Sequence, residues 1–285
     1  MNALRDSTVA IIGLGLMGGS LALALRAQRA CRQIIAIDRD AETLARARAV
    51  GAADETSAQI ESIAPADIII LATPARAMIE QLPRVGATAR AGAVVMDLGS
   101  TKAEIVRAME NLPAHLQPIG AHPLCGKERF GFAAADPDLF RGAHFALCPL
   151  ARTSRETLAR VTSLVELVGA RPFVLDAARH DRSVAVTSHL PFAVAATLMN
   201  SALAFAETDD ALLALAASGF RDTSRLAASE TAMMLDILLT NPANVAAALR
   251  DFSRRSAELA EMISARQEPA LRAVLENAAH ARRKM

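Results

Sequence analysis

Between residues 7 and 176 the chain alternates short β-branched runs with stretches of helix-forming residues, and this alternation restricts the fold more than any other feature. The runs are STVAIIG, QIIAID, ADIIILAT and GAVVMDLG. Helices are expected from about Leu16 and over residues 41–50, 75–89 and 102–111. Short strands separated by helices are joined by crossovers rather than hairpins, and right-handed crossovers produce a parallel sheet covered on both faces. QPIGAHP and HFALCP read as two further strands, and SRETLARVTSLVELVG as a helix leading into a last strand, RPFVLD.

After Asp176 the β-branched runs stop and the text is helical throughout. HDRSVAVTSHLPFAVAATLMNSALAFAE is long enough for one extended helix, interrupted or tightened at Pro191, and shorter helices divide at Gly219 and at Asn241-Pro242. This half is rich in Ala, Leu and Met, and it can close a core of its own or share one with a second copy. The 285 residues suit two domains. The expected fold is an α/β, Rossmann-like, doubly wound dinucleotide-binding domain over residues 1–176, followed by an all-α substrate and dimerisation domain over residues 177–285.

Charge and cysteine content exclude several classes. Lys plus Arg number 31 and Asp plus Glu 30, so no net field favours nucleic acid or an anionic membrane, and the basic ARRKM reads as a solvated tail. Cys31, Cys125 and Cys148 are odd in number and widely spaced, which fits neither a disulfide framework nor a thiolate metal site. A reducing cytoplasm is the expected location. The apolar run near the N-terminus is broken by glycines and lacks a signal-peptide pattern, and no stretch reads as an uninterrupted bilayer span.

Gly13, Gly15 and Gly18 form G-x-G-x-x-G after the run VAII and at the mouth of a helix, with Leu16 and Met17 inside the turn. There, backbone N–H groups and the positive end of the helix dipole face a pyrophosphate. Asp38 closes QIIAID, where a carboxylate accepts the ribose hydroxyls, so NAD is the expected cofactor. Arg39 follows directly and keeps NADP as an alternative, because a guanidinium there accepts a 2′-phosphate. Gly19 reads as extra clearance for a cofactor or a neighbouring domain. Ligands of doubly wound sheets lie beyond the carboxyl ends of the strands, which adds Thr73 at the end of ADIIILAT to the cofactor-binding candidates.

The same rule selects DLGSTK and GAHPLCGKERFG as carriers of chemistry. His122 follows a strand and precedes Pro123, and its imidazole can take a proton from a hydroxyl as the carbon bearing it gives up hydride. A packing role is the alternative. Ser100 and Lys102 could orient a hydroxyl or a carboxylate, although their local pattern reads as a helix N-cap and a solvated first-turn lysine. His180, Asp181 and His189 lack metal-ligand spacing, so no metal is expected. Arg221, Asp222 and Arg225 in GFRDTSR suit either a pocket for an anion or an arginine–aspartate pair at a helix end.

Taken in order, GLGLMGGSLA, DLGSTK, GAHPLCGKERFG, HDRSVAVTSHLPF and GFRDTSRLAASETAMMLDILLTN resemble the prephenate/arogenate (cyclohexadienyl) dehydrogenase family of tyrosine biosynthesis. The resemblance implies an NAD(P)-dependent oxidative decarboxylation in a cleft between a Rossmann-like domain and a helical domain that forms a homodimer. It further implies that His122 binds the ring hydroxyl and assists its deprotonation, and that Ser100 supports both and touches the cofactor. His189 and Lys127 would line the substrate pocket, and Arg225 would bind a substrate carboxylate. At this length it implies neither an appended regulatory domain nor a chorismate mutase segment. Two positions depart from the family pattern: Phe192 stands where SHLPH has a final histidine, and Met234 where a tryptophan is common. The competing readings are a β-hydroxyacid or imine-type dehydrogenase and a regulator that senses NAD(H) without turnover.

Overall fold

The computed structural model describes residues 4–127, 129–209, 211–212 and 214–284. Its first part runs β1 (Thr8–Ile12), α1 (Leu16–Ala27), β2 (Gln33–Ile37), α2 (Ala41–Ala49), β3 (Glu55–Ser57), β4 (Ile68–Leu71), α3 (Ala75–Thr88), β5 (Val94–Asp97), α4 (Ala103–Glu110), β6 (Gln117–Pro123), β7 (His144–Pro149), α5 (Arg155–Leu167) and β8 (Arg171–Val174). The eight strands form one sheet in the order β3-β2-β1-β4-β5-β6-β7-β8. Strands β1 to β6 pair in parallel. The chain crosses from one side of β1 to the other between β3 and β4, which puts the topological switch point at the carboxyl ends of β1 and β4.

Adjacent strand residues serve opposite faces. Ile11, Ile34, Ile70 and Met96 pack with Leu21, Leu25 and Phe145 on one side, while Ile12, Ile35, Ile69 and Val95 pack with Met78, Leu82 and Ile105 on the other. A sheet buried on both faces needs near-continuous apolar strands, which explains the β-branched runs. Two features differ from the sequence expectation of a parallel sheet. β7 returns antiparallel to β6, with β8 parallel to β7. Among the described residues between β6 and β7 there is only a short 3₁₀ turn, Phe132–Ala134, and a parallel return needs a crossover that usually carries a full helix. β3 was not expected, because ETS carries no apolar run and is specified by its pairing to β2.

The remaining helices are α6 (Ala177–Val184), α7 (Leu190–Ala206), α8 (Ser218–Ser224), α9 (Thr231–Thr240), α10 (Pro242–Ser264) and α11 (Glu268–Arg283). Packing groups residues 1–184 with 229–241 in one compact unit, and residues 185–228 with 242–285 in another. α6 and α9 therefore belong to the sheet-bearing unit. α9 is stitched there by the ion pair of Arg76 with Asp236 and by the Thr101 and Thr240 hydroxyls, which meet at 2.8 Å.

Residues 177–206 are helical without a break, because residues 185–189 form a π-turn just before Pro191. The wider turn gives the pyrrolidine ring room over carbonyls that a regular turn would set against it. This differs from the expectation that no stretch could span a bilayer. Ala177–Ala206 is 30 residues long, with a window of mean hydropathy 1.3, and meets that criterion by length and composition, as core helices of soluble proteins also do. Its α6 portion carries the buried pair His180 and Asp181.

Candidate active site

Since β1, β4, β5 and β6 run parallel, the segments that follow them gather at one edge of the sheet. After β1, Gly13 adopts φ +96°, and a Cβ there would press on Thr73 and the Ala72 backbone. A Cβ on Gly18 would lie 1.9 Å from the Gly13 carbonyl oxygen, so this glycine lets α1 close onto the turn. Gly15 starts α1 with no side-chain cap and no acidic residue in the first turn, and a Cβ on it would meet nothing within 4 Å. Leu16 and Met17 are half-buried in that first turn. The Asp38 carboxylate accepts from the N–H of Leu14 at 2.7 Å and of Asp40 at 2.9 Å, tying the end of β2 to the turn. Arg39 beside it is exposed, and the half-buried Thr73 donates to Gln81 at 2.9 Å. This cradle of backbone amides with space over Gly15 fits a dinucleotide pyrophosphate.

Gly19 has a different reason from the one its sequence suggests. A Cβ there would meet the Phe132 ring at 2.7 Å and Ala135 at 3.0 Å, so the clearance serves the loop between β6 and β7. The Asp136 N–H donates to Ser20 at 2.9 Å in the same contact, and Lys127 pairs with Asp136 at 2.7 Å on the exposed side of that loop.

Beyond β5 and β6 the edge is built from buried charged groups. Lys102 is fully buried: its ammonium pairs with Asp97 and donates to the Ala121 carbonyl at 2.7 Å. Asp97 also accepts the N–H of Gly99 at 2.8 Å and of Ala121 at 3.0 Å, which fastens the end of β5 to β6 just before His122. Lys102 is therefore no solvated lysine. Ser100 is half-buried in the β5–α4 turn and does not cap the helix. The cap comes from α6, where the Asp181 carboxylate accepts the N–H of Lys102 at 2.7 Å and of Ala103 at 2.8 Å.

His122 lies in the last residues of β6, half-buried, with Nδ1 2.8 Å from Nε2 of His180. Nδ1 of His180 is in turn 2.8 Å from the Asp181 carboxylate. The two imidazoles meet edge to face, with centroids 5.1 Å apart. A nearby thiol is no rival nucleophile, since burial pushes Cys125 up to about 11 and Cys148 up to about 12.

In the second unit His189 is buried within the π-turn. Arg225 is exposed where α8 gives way to the 3₁₀ turn Arg225–Ala228, so GFRDTSR is helical rather than loop-like. Arg221 donates to the Ala216 carbonyl at 3.2 and 3.3 Å.

The family model described as "Prephenate dehydrogenase, nucleotide-binding domain" matches residues 21–174, and "Prephenate dehydrogenase, dimerization domain" matches residues 176–277. The chain belongs to the prephenate dehydrogenase family. The prephenate dehydrogenase of Lactococcus lactis subsp. cremoris is 33% identical over 92% of this chain and 73% of its own length. The Aquifex aeolicus prephenate dehydrogenase, solved with hydroxyphenyl propionate and NAD+, superposes with a TM-score of 0.93 at 30% identity over 99% of both chains. Synechocystis arogenate dehydrogenase superposes at 0.85, with 31% identity over 97% of this chain and 99% of its own.

The nucleotide-binding match begins at Leu21, so in this member of the prephenate dehydrogenase family the glycine turn rests on its own geometry. Of the two departures from the family pattern, Met234 is buried in α9 and Phe192 half-buried in α7. Sequence reasoning passed over His180 and Asp181 once metal spacing had been excluded. The available signal was that His180, Asp181 and Val184 share one face of a helix directly after the last strand.

Proposed function

We propose that this protein oxidatively decarboxylates prephenate or arogenate, giving 4-hydroxyphenylpyruvate or tyrosine. The observation that carries the reading is a histidine, His122, held by a buried hydrogen-bond chain at the sheet edge that also bears the uncapped glycine turn. NAD+, when bound, takes up the hydride that leaves the ring carbon bearing the hydroxyl. His122 accepts the hydroxyl proton as that carbon becomes a carbonyl carbon. Loss of the ring carboxylate as carbon dioxide then sends an electron pair into the ring, and His122 returns the proton to the resulting phenolate. No net proton is consumed, and aromatisation drives the carboxylate out. Holding the ring against His122 is the chain's main contribution.

Ser100 supports the hydroxyl and the histidine, Arg225 offers its guanidinium to a substrate carboxylate, and His189 and Lys127 complete the substrate-binding set. Gly13, Gly15, Leu16, Met17, Gly18, Asp38, Arg39 and Thr73 form the cofactor side, with Asp38 favouring NAD over NADP. A homodimer formed through the helical unit fits the exposed Phe205, Leu215, Ile263 and Leu275 of that unit. We place the enzyme in the cytoplasm, where free cysteines such as these stay reduced.

The test is an assay of prephenate and arogenate, each with NAD+ and NADP+, following reduced nicotinamide and carbon dioxide together. Reduction with release of carbon dioxide, fastest with NAD+, is expected. Nicotinamide binding without turnover in all four combinations overturns the reading in favour of a sensor, and hydride transfer without carbon dioxide favours a hydroxyacid dehydrogenase.

A further inference from the structure

We propose that His180 and Asp181 are positioning residues that fix the tautomer of His122 and share the charge it takes up, a role that rests on the reading of His122 as the base. The hydrogen-bond inventory decides the direction of the chain. Asp181 already accepts two backbone N–H groups, so toward His180 it offers only lone pairs, and Nδ1 of His180 must carry the proton. Nε2 of a neutral His180 is then an acceptor, and Nδ1 of His122 must donate to it across 2.8 Å. His122 is thereby held as the Nδ1–H tautomer, with its lone pair on Nε2. That lone pair is what a base needs in order to take a hydroxyl proton.

Charge bookkeeping around the pair points the same way. Among the described residues, Asp97 at the end of β5, Lys102 just before α4 and Asp181 in α6 are charged groups packed near the two rings. Asp97 and Lys102 pair with one another, while the buried Asp181 carboxylate faces His180 at 2.8 Å. When His122 accepts a proton on Nε2, its Nδ1–H bond to His180 strengthens and the new positive charge faces that carboxylate through one intervening ring. Rigidity comes from the same source: the carboxylate that orients His180 is itself fixed by the amides of Lys102 and Ala103 at the start of α4, and His180 is 2% exposed.

The test compares His180→Phe with His180→Gln in the full-length enzyme, alongside ¹⁵N spectra of the wild-type imidazoles. A carboxamide can still donate to Asp181 and accept from His122, whereas a phenyl ring does neither. His180→Phe should lower kcat by roughly tenfold or more, part of the 10²–10⁴ that acid–base catalysis contributes, with KM and NAD+ affinity little changed. His180→Gln should recover most of that loss, and the spectra should place the proton of neutral His122 on Nδ1. Wild-type kcat in His180→Phe, no recovery in a folded His180→Gln, or a His122 proton on Nε2 would each overturn the proposal. The spectra need no turnover, so they test the tautomer even if neither substrate reacts in the wild-type enzyme, an outcome that would count against the proposed reaction instead.

Discussion

At the carboxyl edge of the sheet, the turn after β1 is made by leaving side chains out, whereas the cluster after β5 and β6 is made by burying charged ones. In the first, Gly13 and Gly18 sit where any Cβ would collide with backbone, and the Asp38 carboxylate ties the turn to the end of β2. In the second, Asp97, Lys102, His180 and Asp181 are all buried and each satisfies another. The contrast separates two tasks. A dinucleotide needs backbone amides and room, while a proton that is borrowed and returned needs a ring held in one protonation pattern.

Lys102→Met probes the cluster hardest. It leaves the Asp97 carboxylate buried without its counter-ion and should cost about 3–5 kcal/mol, read by denaturant unfolding. Adding Asp97→Asn should recover part of that loss, and an unchanged stability in the single variant would show that the charges matter less than their burial suggests. Next in size, His122→Asn should lower kcat by roughly 10²-fold or more while leaving NAD+ affinity intact. Equal loss of cofactor binding would show that turn and cluster act as one site. The smallest effect is the sharpest on the turn: Gly15→Ala meets no protein atom within 4 Å, so thermal stability should hold while the Kd for NAD+ rises, by roughly tenfold. An unchanged Kd would mean that the space over Gly15 is not where the pyrophosphate lies.

The same contrast explains what the sequence made legible. The turn is written locally, in residues 13–18 and one acid at the end of the next strand, so motif, strand and helix could be read together. The alternation of strands and helices likewise gave the parallel part of the sheet, because each βα unit carries its own periodicity. The cluster is written across distance. Lys102 has the local pattern of a solvated lysine, and only the docking of α6 reveals that its backbone is capped by Asp181 and its ammonium enclosed beside Asp97. His122 stood out for its place after a strand, but its partner lies 58 residues away, and no short-range spacing records a two-histidine contact. The direction of β7, though not its existence, was hidden for a related reason: strand direction depends on what the connection contains, and the described residues of the β6–β7 loop carry a short 3₁₀ turn and no full helix.

The cap on α4 also orders events in time. Its first amides await a carboxylate 79 residues further along the chain, and Arg76 awaits Asp236 across 160. Contacts closed over such spans form late and slowly compared with the local helices they join. A ribosome that has delivered the glycine turn, and even the whole sheet, has therefore not yet delivered the histidine pair. On this ordering of synthesis, the cofactor cradle is delivered before the partners of the base, and proton transfer reports the completed first unit.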